Sequence, residues 1–364
     1  MSDTPDQNTQ LIEAMTAMLP PLLVALDTLE DVTRKLHPPQ IDDLVDHVAG
    51  VDMGIRDARP VFEAAPWPEH LLPVRDRVLT AAEEVLSAYG ELAAAKHAEN
   101  FILGAFKALR HAPRANEALY PLAAILPPVS RYFLEPGMRD DQERLAALAD
   151  GANRAETGVI EASNDKKERG GFSLYVPEDY NPSRAYPLVM ALHGGSGHGR
   201  SFLWSWLREA RSRGIILVTP TSRGDTWSLM GDDMDSPNLD AMLAHIRSRW
   251  NVDGTKLLLT GMSDGGTFSY VTGLRDESPF THLAPMSTAF HPMLGEMASA
   301  DRLDGLHVYV VHGALDWMFP SKMAELAAET LDAKGAEVKL EIIPDLSHTY
   351  PREVNARVLD WFLA

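Results

Sequence analysis

The 364-residue chain contains no cysteine, which excludes a disulfide framework, a thiolate nucleophile and any thiolate metal site. Positive charge is in deficit. Against 52 aspartates and glutamates stand 33 lysines and arginines, for a formal net charge of -19. Nucleic acid and anionic membrane would both repel such a chain, so neither is expected as a partner. Uninterrupted apolar runs are missing too: the stretch from Leu11 to Leu29 is broken by Glu13, Pro20, Pro21 and Asp27. It reads as a helix with a proline bend rather than a bilayer span. Residues 1–10 are polar and acidic and lack the basic start of a signal peptide, which makes cytoplasmic residence the expectation. No set of histidines and carboxylates stands at metal-ligand spacing. The Asp232-Asp233-x-Asp235 cluster lacks the glycine and distal glutamate of a calcium loop and reads as a solvated acidic loop. No metal or cofactor is therefore expected.

Before about residue 160 the chain is poor in glycine and aromatics and rich in alanine and leucine. Apolar residues recur there at helical spacing, as in Val74, Val78, Ala81, Ala82, Val85, Leu86 and Tyr89. Prolines punctuate the segment into short helices, and no strand-like alternation interrupts it. This predicts an all-helical domain over residues 1–155 and a second domain over 156–364. The polar, glycine-bounded segment from Gly151 to Gly171 fits an exposed connection or hairpin tip, with Thr157 to Ala162 open as a first strand of the second domain.

From Phe172 the rhythm becomes strand, loop, helix. Phe172 to Val176 alternates like an edge strand, and Pro187 to Leu192, Ile215 to Val218, Lys256 to Thr260, Leu306 to His312 and Glu337 to Ile343 also read as strands. Helices are expected at Arg200 to Arg213, Asn238 to Trp250, Thr267 onward, Ser321 to Ala333 and Arg352 to Leu363. The alternation implies an α/β fold with a mostly parallel sheet covered on both faces, whose ligand lies beyond the carboxyl ends of the strands.

One stretch organises that second domain. Gly261-Met262-Ser263-Asp264-Gly265-Gly266 follows a buried apolar strand and precedes a helix, which is the context of a nucleophile elbow. Serine needs a base to take its proton, usually a histidine oriented by a carboxylate. Downstream lie His282, His291, His307, His312 and His348. Only His348 falls in a loop after the last strand and before the last helix. His312 closes a strand before Gly313 and reads as a turn-packing residue. For the acid, Asp316 follows a strand by a glycine turn, and Asp345 competes from within the histidine's own loop. Backbone N–H groups for an oxyanion are expected from Asp264, directly after the serine, and from Gly195 in His193-Gly194-Gly195-Ser196-Gly197. That glycine loop lacks both the Gly-Lys-Ser/Thr ending of a P-loop and the spacing of a dinucleotide fold. His193, Gly194, Trp227, Met262 and Trp317 are the candidate pocket residues. Together with Trp204, Trp206, Met230, Met234, Met286 and Met293 they suit an apolar acyl or alcohol group, although for any single one of them core packing is the safer reading.

Residues from about 172 to 364 resemble the α/β-hydrolase superfamily, and most closely its phospholipase/carboxylesterase branch of serine esterases. The resemblance rests on Leu192-His193-Gly194-Gly195, Gly261-Met262-Ser263-Asp264-Gly265-Gly266, His312-Gly313-x-x-Asp316 and Ser347-His348. It implies a cofactor-independent carboxylic ester hydrolase working through a Ser263–His348–Asp316 triad, an acyl-enzyme, and an oxyanion hole at Gly195 and Asp264. The chain departs from that branch at Asp264, where glutamine is usual. Carbon–carbon hydrolysis of a β-diketone under a helical cap, by the same triad, is the alternative within enzymes. A hydrolase-fold scaffold is the alternative outside them. Some carbon–carbon hydrolases carry an amino-terminal helical domain that covers the site and builds a dimer, so a lid or homodimerisation role is the expectation for residues 1–155.

Overall fold

A computed structural model describes residues 6–151 and 154–364. The expectation for the extreme amino terminus falls partly on residues 1–5, outside the described residues, as do residues 152–153 within the expected connection. The chain divides into two compact units, one ending at Arg139 and the other spanning Asp140–Ala364.

In the first unit no strand is present among the described residues. Its longest helix, Gln7–Lys35, runs through Pro20 and Pro21 without ending. Aligned on one stripe, Met18, Leu22, Ala25, Leu26 and Leu29 are fully buried, which is the 3.6-residue period turned into a packing face. By length and composition alone, this helix is long and apolar enough to cross a membrane, more continuous than the interrupted sequence suggests. It packs with Met53–Ala64 and Leu72–Ala95, and the Tyr89 hydroxyl donates to the Ala25 carbonyl at 2.9 Å.

The second unit holds one eight-stranded sheet. Its strands are β1 (Gly158–Ala162), β2 (Phe172–Val176), β3 (Tyr186–Leu192), β4 (Ile216–Pro220), β5 (Val252–Met262), β6 (His282–Met286), β7 (His307–Gly313) and β8 (Glu337–Ile343), in the spatial order β1-β2-β4-β3-β5-β6-β7-β8. β1 and β2 form an antiparallel hairpin, β2 joins β4 antiparallel, and every other pairing is parallel. β2 is therefore interior and buried along its whole length, not the edge strand its alternation suggests; β1 takes the edge. At the centre, Leu257, Leu258 and Leu259 of β5 are fully buried, each contributing about 2 kcal/mol by removal from water.

The unit begins earlier than the expected boundary at 155/156 because the helix Gln142–Asp150 is fastened to it. Arg144 donates to Asp179 at 2.7 Å and to the Arg211 carbonyl at 2.5 Å. The single helix expected over Arg200 to Arg213 is instead Gly199–Phe202, a 3₁₀ turn at Leu203–Ser205, and Leu207–Arg213.

Candidate active site

β5 ends at Met262, and Ser263 follows with φ 55° and ψ -122°, a left-handed conformation that costs a non-glycine residue about 1–3 kcal/mol. The surroundings hold it there. The Ser263 N–H donates to the Met286 carbonyl at 3.0 Å, and the chain turns at once into the helix Asp264–Gly273. The turn is tight enough that a Cβ on Gly261 would lie 2.5 Å from the Gly265 carbonyl carbon. One on Gly265 would lie 2.4 Å from the His193 carbonyl oxygen. Side chains are sterically excluded at both positions.

The loops after β7 and β8 bring the other two groups. His348 Nε2 lies 3.0 Å from Ser263 Oγ, and His348 Nδ1 lies 2.9 Å from Asp316 Oδ2. The second oxygen of Asp316 accepts from the N–H groups of Met318 (2.9 Å) and Phe319 (2.8 Å). Burial works against the Asp316 charge, yet the His348 hydrogen bond and these two N–H donors outweigh it and hold its carboxyl below the ordinary aspartate value. Asp345 is exposed; the aspartate that meets the imidazole is Asp316. The two loops are joined by backbone, with Ala314 N–H on the Ile343 carbonyl and Leu315 N–H on the Leu346 carbonyl, each at 2.9 Å.

On the other flank of β5, the loop after β3 places Gly194 against the serine: a Cβ there would stand 3.6 Å from Ser263 Cβ. A Cβ on Gly195 would fall 2.7 Å from Asp264 Oδ2, so the carboxylate after the serine occupies the space beside that glycine. Thr226 Oγ1 donates to the same oxygen at 2.5 Å. Among the described residues, the N–H groups of Gly195 and Asp264 meet no protein acceptor.

Two of the candidate pocket side chains prove structural. His193 is 1% exposed; its Nδ1 lies 2.7 Å from the Gly194 carbonyl, and its Nε2 accepts from Ser222 N–H at 3.1 Å. Both nitrogens are thus used in fixing the glycine loop, and burial first, then the nearby cations, push its pKa down to about 3. Trp227 is enclosed as well, donating to the His193 carbonyl at 2.7 Å and stacking on Phe268. Gly194 and Met262 are partly exposed. Trp317 is half exposed, its ring centroid 6.3 Å from that of His348. Trp204 and Trp206 belong to the buried core.

Further residues shape the site without a signal in the sequence. Arg169, placed in an exposed connection by its neighbours, bridges the Gly197 carbonyl (3.2 Å) and the Ser222 carbonyl (3.0 Å). Asp235, counted in a solvated acidic cluster, is 1% exposed and accepts from Arg223 N–H and from both the N–H and hydroxyl of Ser228. Among the described residues no cluster of histidines and carboxylates could hold a metal.

Large apolar side chains are exposed around this edge. Met230 and Met234 follow β4, and Leu315, Trp317 and Met318 follow β7. Elsewhere among the described residues of this unit, the exposed large hydrophobics are Leu326, Leu340 and, on the helix Pro292–Met297 that packs near Thr330 and Lys334, Met293 and Met297. Exposed apolar surface gathered in this way marks a binding region.

Residues 221–359, which include Ser263, Asp316 and His348, match the model of the Dienelactone hydrolase family. The chain is 25% identical over 123 residues to a probable feruloyl esterase C of Aspergillus oryzae, covering 32% of this chain and 45% of that protein. It is 29% identical over 123 residues to the probable feruloyl esterase C of Aspergillus terreus, with the same coverage. These alignments span under half the length of the curated relatives. Among solved structures, a thermostable esterase is similar with a TM-score of 0.47 and 16% identity, over 56% of this chain and 62% of that one. Asp140–Ala364 is thus an α/β unit with a mostly parallel sheet and a strained serine turn between β5 and its helix, and its residues 221–359 are similar to the Dienelactone hydrolase family.

Proposed function

We propose that the protein is a carboxylic ester hydrolase in which Ser263 is the nucleophile, His348 its base and later the acid, and Asp316 the group that orients the imidazole. The observation that carries this reading is the continuous relay from Ser263 Oγ through His348 to Asp316, at 3.0 and 2.9 Å. Ser263 Oγ attacks the ester carbonyl while His348 Nε2 takes its proton, and the carbonyl becomes a tetrahedral oxyanion held by the N–H groups of Gly195 and Asp264. Collapse expels the alcohol, which receives the proton from His348 and leaves an acyl group on Ser263. Water, deprotonated by the same imidazole, then releases the acid and restores the serine. Asp316 stays ionised throughout and stabilises the imidazolium at Nδ1.

Esters with an aromatic acyl group are the proposed substrate class. The half-exposed Trp317 beside His348 offers such a group a flat apolar face, and the feruloyl esterase names of the aligned relatives point the same way. Replacing Ser263 by alanine should abolish hydrolysis of methyl ferulate and of p-nitrophenyl acetate, and should abolish labelling by a fluorophosphonate probe. Undiminished turnover by S263A would remove the assignment.

A further inference from the structure

Asp316 Oδ2 faces two imidazoles. Besides His348 Nδ1 at 2.9 Å, the Nε2 atom of His312 stands 3.5 Å away, and the side chains of both His312 and Asp316 are completely buried. His312 Nε2 also lies 2.9 Å from the Phe319 carbonyl oxygen. A carbonyl can only accept, so Nε2 carries the proton and donates it. The other nitrogen, Nδ1, is buried without any hydrogen-bond partner among the described residues. A buried acceptor with no protein partner costs stability, and native structures keep few of them. An apolar side chain would fill a strand end before Gly313 without that cost, so packing alone does not account for a histidine here.

We propose that His312 is a positioning residue for the acid of the relay. The inference rests on the functional reading above. Its Nε2–H holds the Phe319 carbonyl, while the N–H of Phe319 donates to Asp316 Oδ1 at 2.8 Å. His312 thereby fixes, from below, the short turn that presents Asp316, and sets an N–H dipole toward the oxygen that His348 uses. The orphaned Nδ1 is the consequence: the ring must keep its proton on Nε2, and the strand end supplies nothing to the opposite edge. His312 touches neither the serine nor substrate and acts only through Asp316.

The test compares His312→Leu, His312→Gln and His312→Asn with the wild type on p-nitrophenyl acetate. Glutamine reaches its amide N–H to roughly the Nε2 position, whereas asparagine reaches only as far as Nδ1. H312L and H312N should lose kcat by roughly tenfold through misorientation of the acid, with KM within about twofold of wild type. H312Q should recover most of kcat. Melting temperatures should change little in H312L, which exchanges the orphaned Nδ1 for the loss of a donor to Phe319. Wild-type kcat in H312L, or equal loss in H312Q and H312N, would overturn the inference. If H312L fails to fold, the contrast between H312Q and H312N decides alone. A wild-type protein that neither hydrolyses esters nor reacts with fluorophosphonate would instead remove the functional reading, and this inference with it.

Discussion

Which side chains converge on Ser263 was largely legible, and how they are held was not. A serine between glycines after an apolar run, a histidine in the last strand-to-helix loop and an aspartate after a glycine turn each follow from local pattern, and the structure brings these three together. His193 shows where pattern stops. Beside a glycine loop it passes for a pocket residue, but its role is set by Ser222, 29 positions away, and no local spacing encodes that contact. Its burial carries a pH consequence. With a folded pKa near 3 and an ordinary value of 6.5, the unfolded chain binds the extra proton between those limits, so folding stability falls as pH drops below about 6.5 and the loss saturates near 3. The slope from this group is about 1.4 kcal/mol per pH unit. Denaturant melts of the wild type and of His193→Gln, taken from pH 7 to 4.5, should show the variant's stability falling less steeply.

Among elements, the parallel strands were the most legible, since buried runs such as Leu257-Leu258-Leu259 have few other uses. β2 was misplaced because alternation is shared by edge strands and by strands covered unequally on two faces. What encloses it is β1, a strand with a single buried residue. The connection between β5 and its helix tolerates little change. A methyl group at Gly261 would press on the Gly265 carbonyl carbon at 2.5 Å, where both partners are backbone and neither can swing away. Gly261→Ala should therefore destabilise by about 3 kcal/mol or more. The corresponding measurement is a drop of several degrees in melting temperature together with loss of fluorophosphonate labelling. An unaltered melt would mean that the turn can open.

For the whole molecule, the partition into a helical part and an α/β part was visible in composition, because alanine- and leucine-rich sequence without glycine turns cannot build a sheet of this kind. The position of the division was less visible. The helix Gln142–Asp150 has the composition of the first unit, yet Arg144 ties it to Asp179 and Arg211 of the second. A buried pair of the same hidden kind joins Arg211 and Glu178 at 2.9 Å, with the Tyr175 hydroxyl on the other carboxylate oxygen. Charged residues at such separations carry no periodicity, so their burial is decided by the assembled sheet rather than by their neighbours in sequence.

The exposed methionines after β4 and β7 have a redox consequence. The chain has 15 methionines and no cysteine, so its sulfur chemistry lies wholly in thioethers, and three of them, at 230, 234 and 318, are exposed on loops at this edge. Peroxide would convert these to sulfoxides, turning flexible apolar contacts polar while sparing the serine hydroxyl. Mild oxidation should therefore raise KM for methyl ferulate several-fold while leaving the kcat for p-nitrophenyl acetate nearly unchanged, and methionine sulfoxide reductases should reverse the effect. Equal loss on both substrates would place the damage elsewhere. If the proposed aromatic esters are its substrates, an oxidant should loosen the grip on them before it touches the chemistry at Ser263.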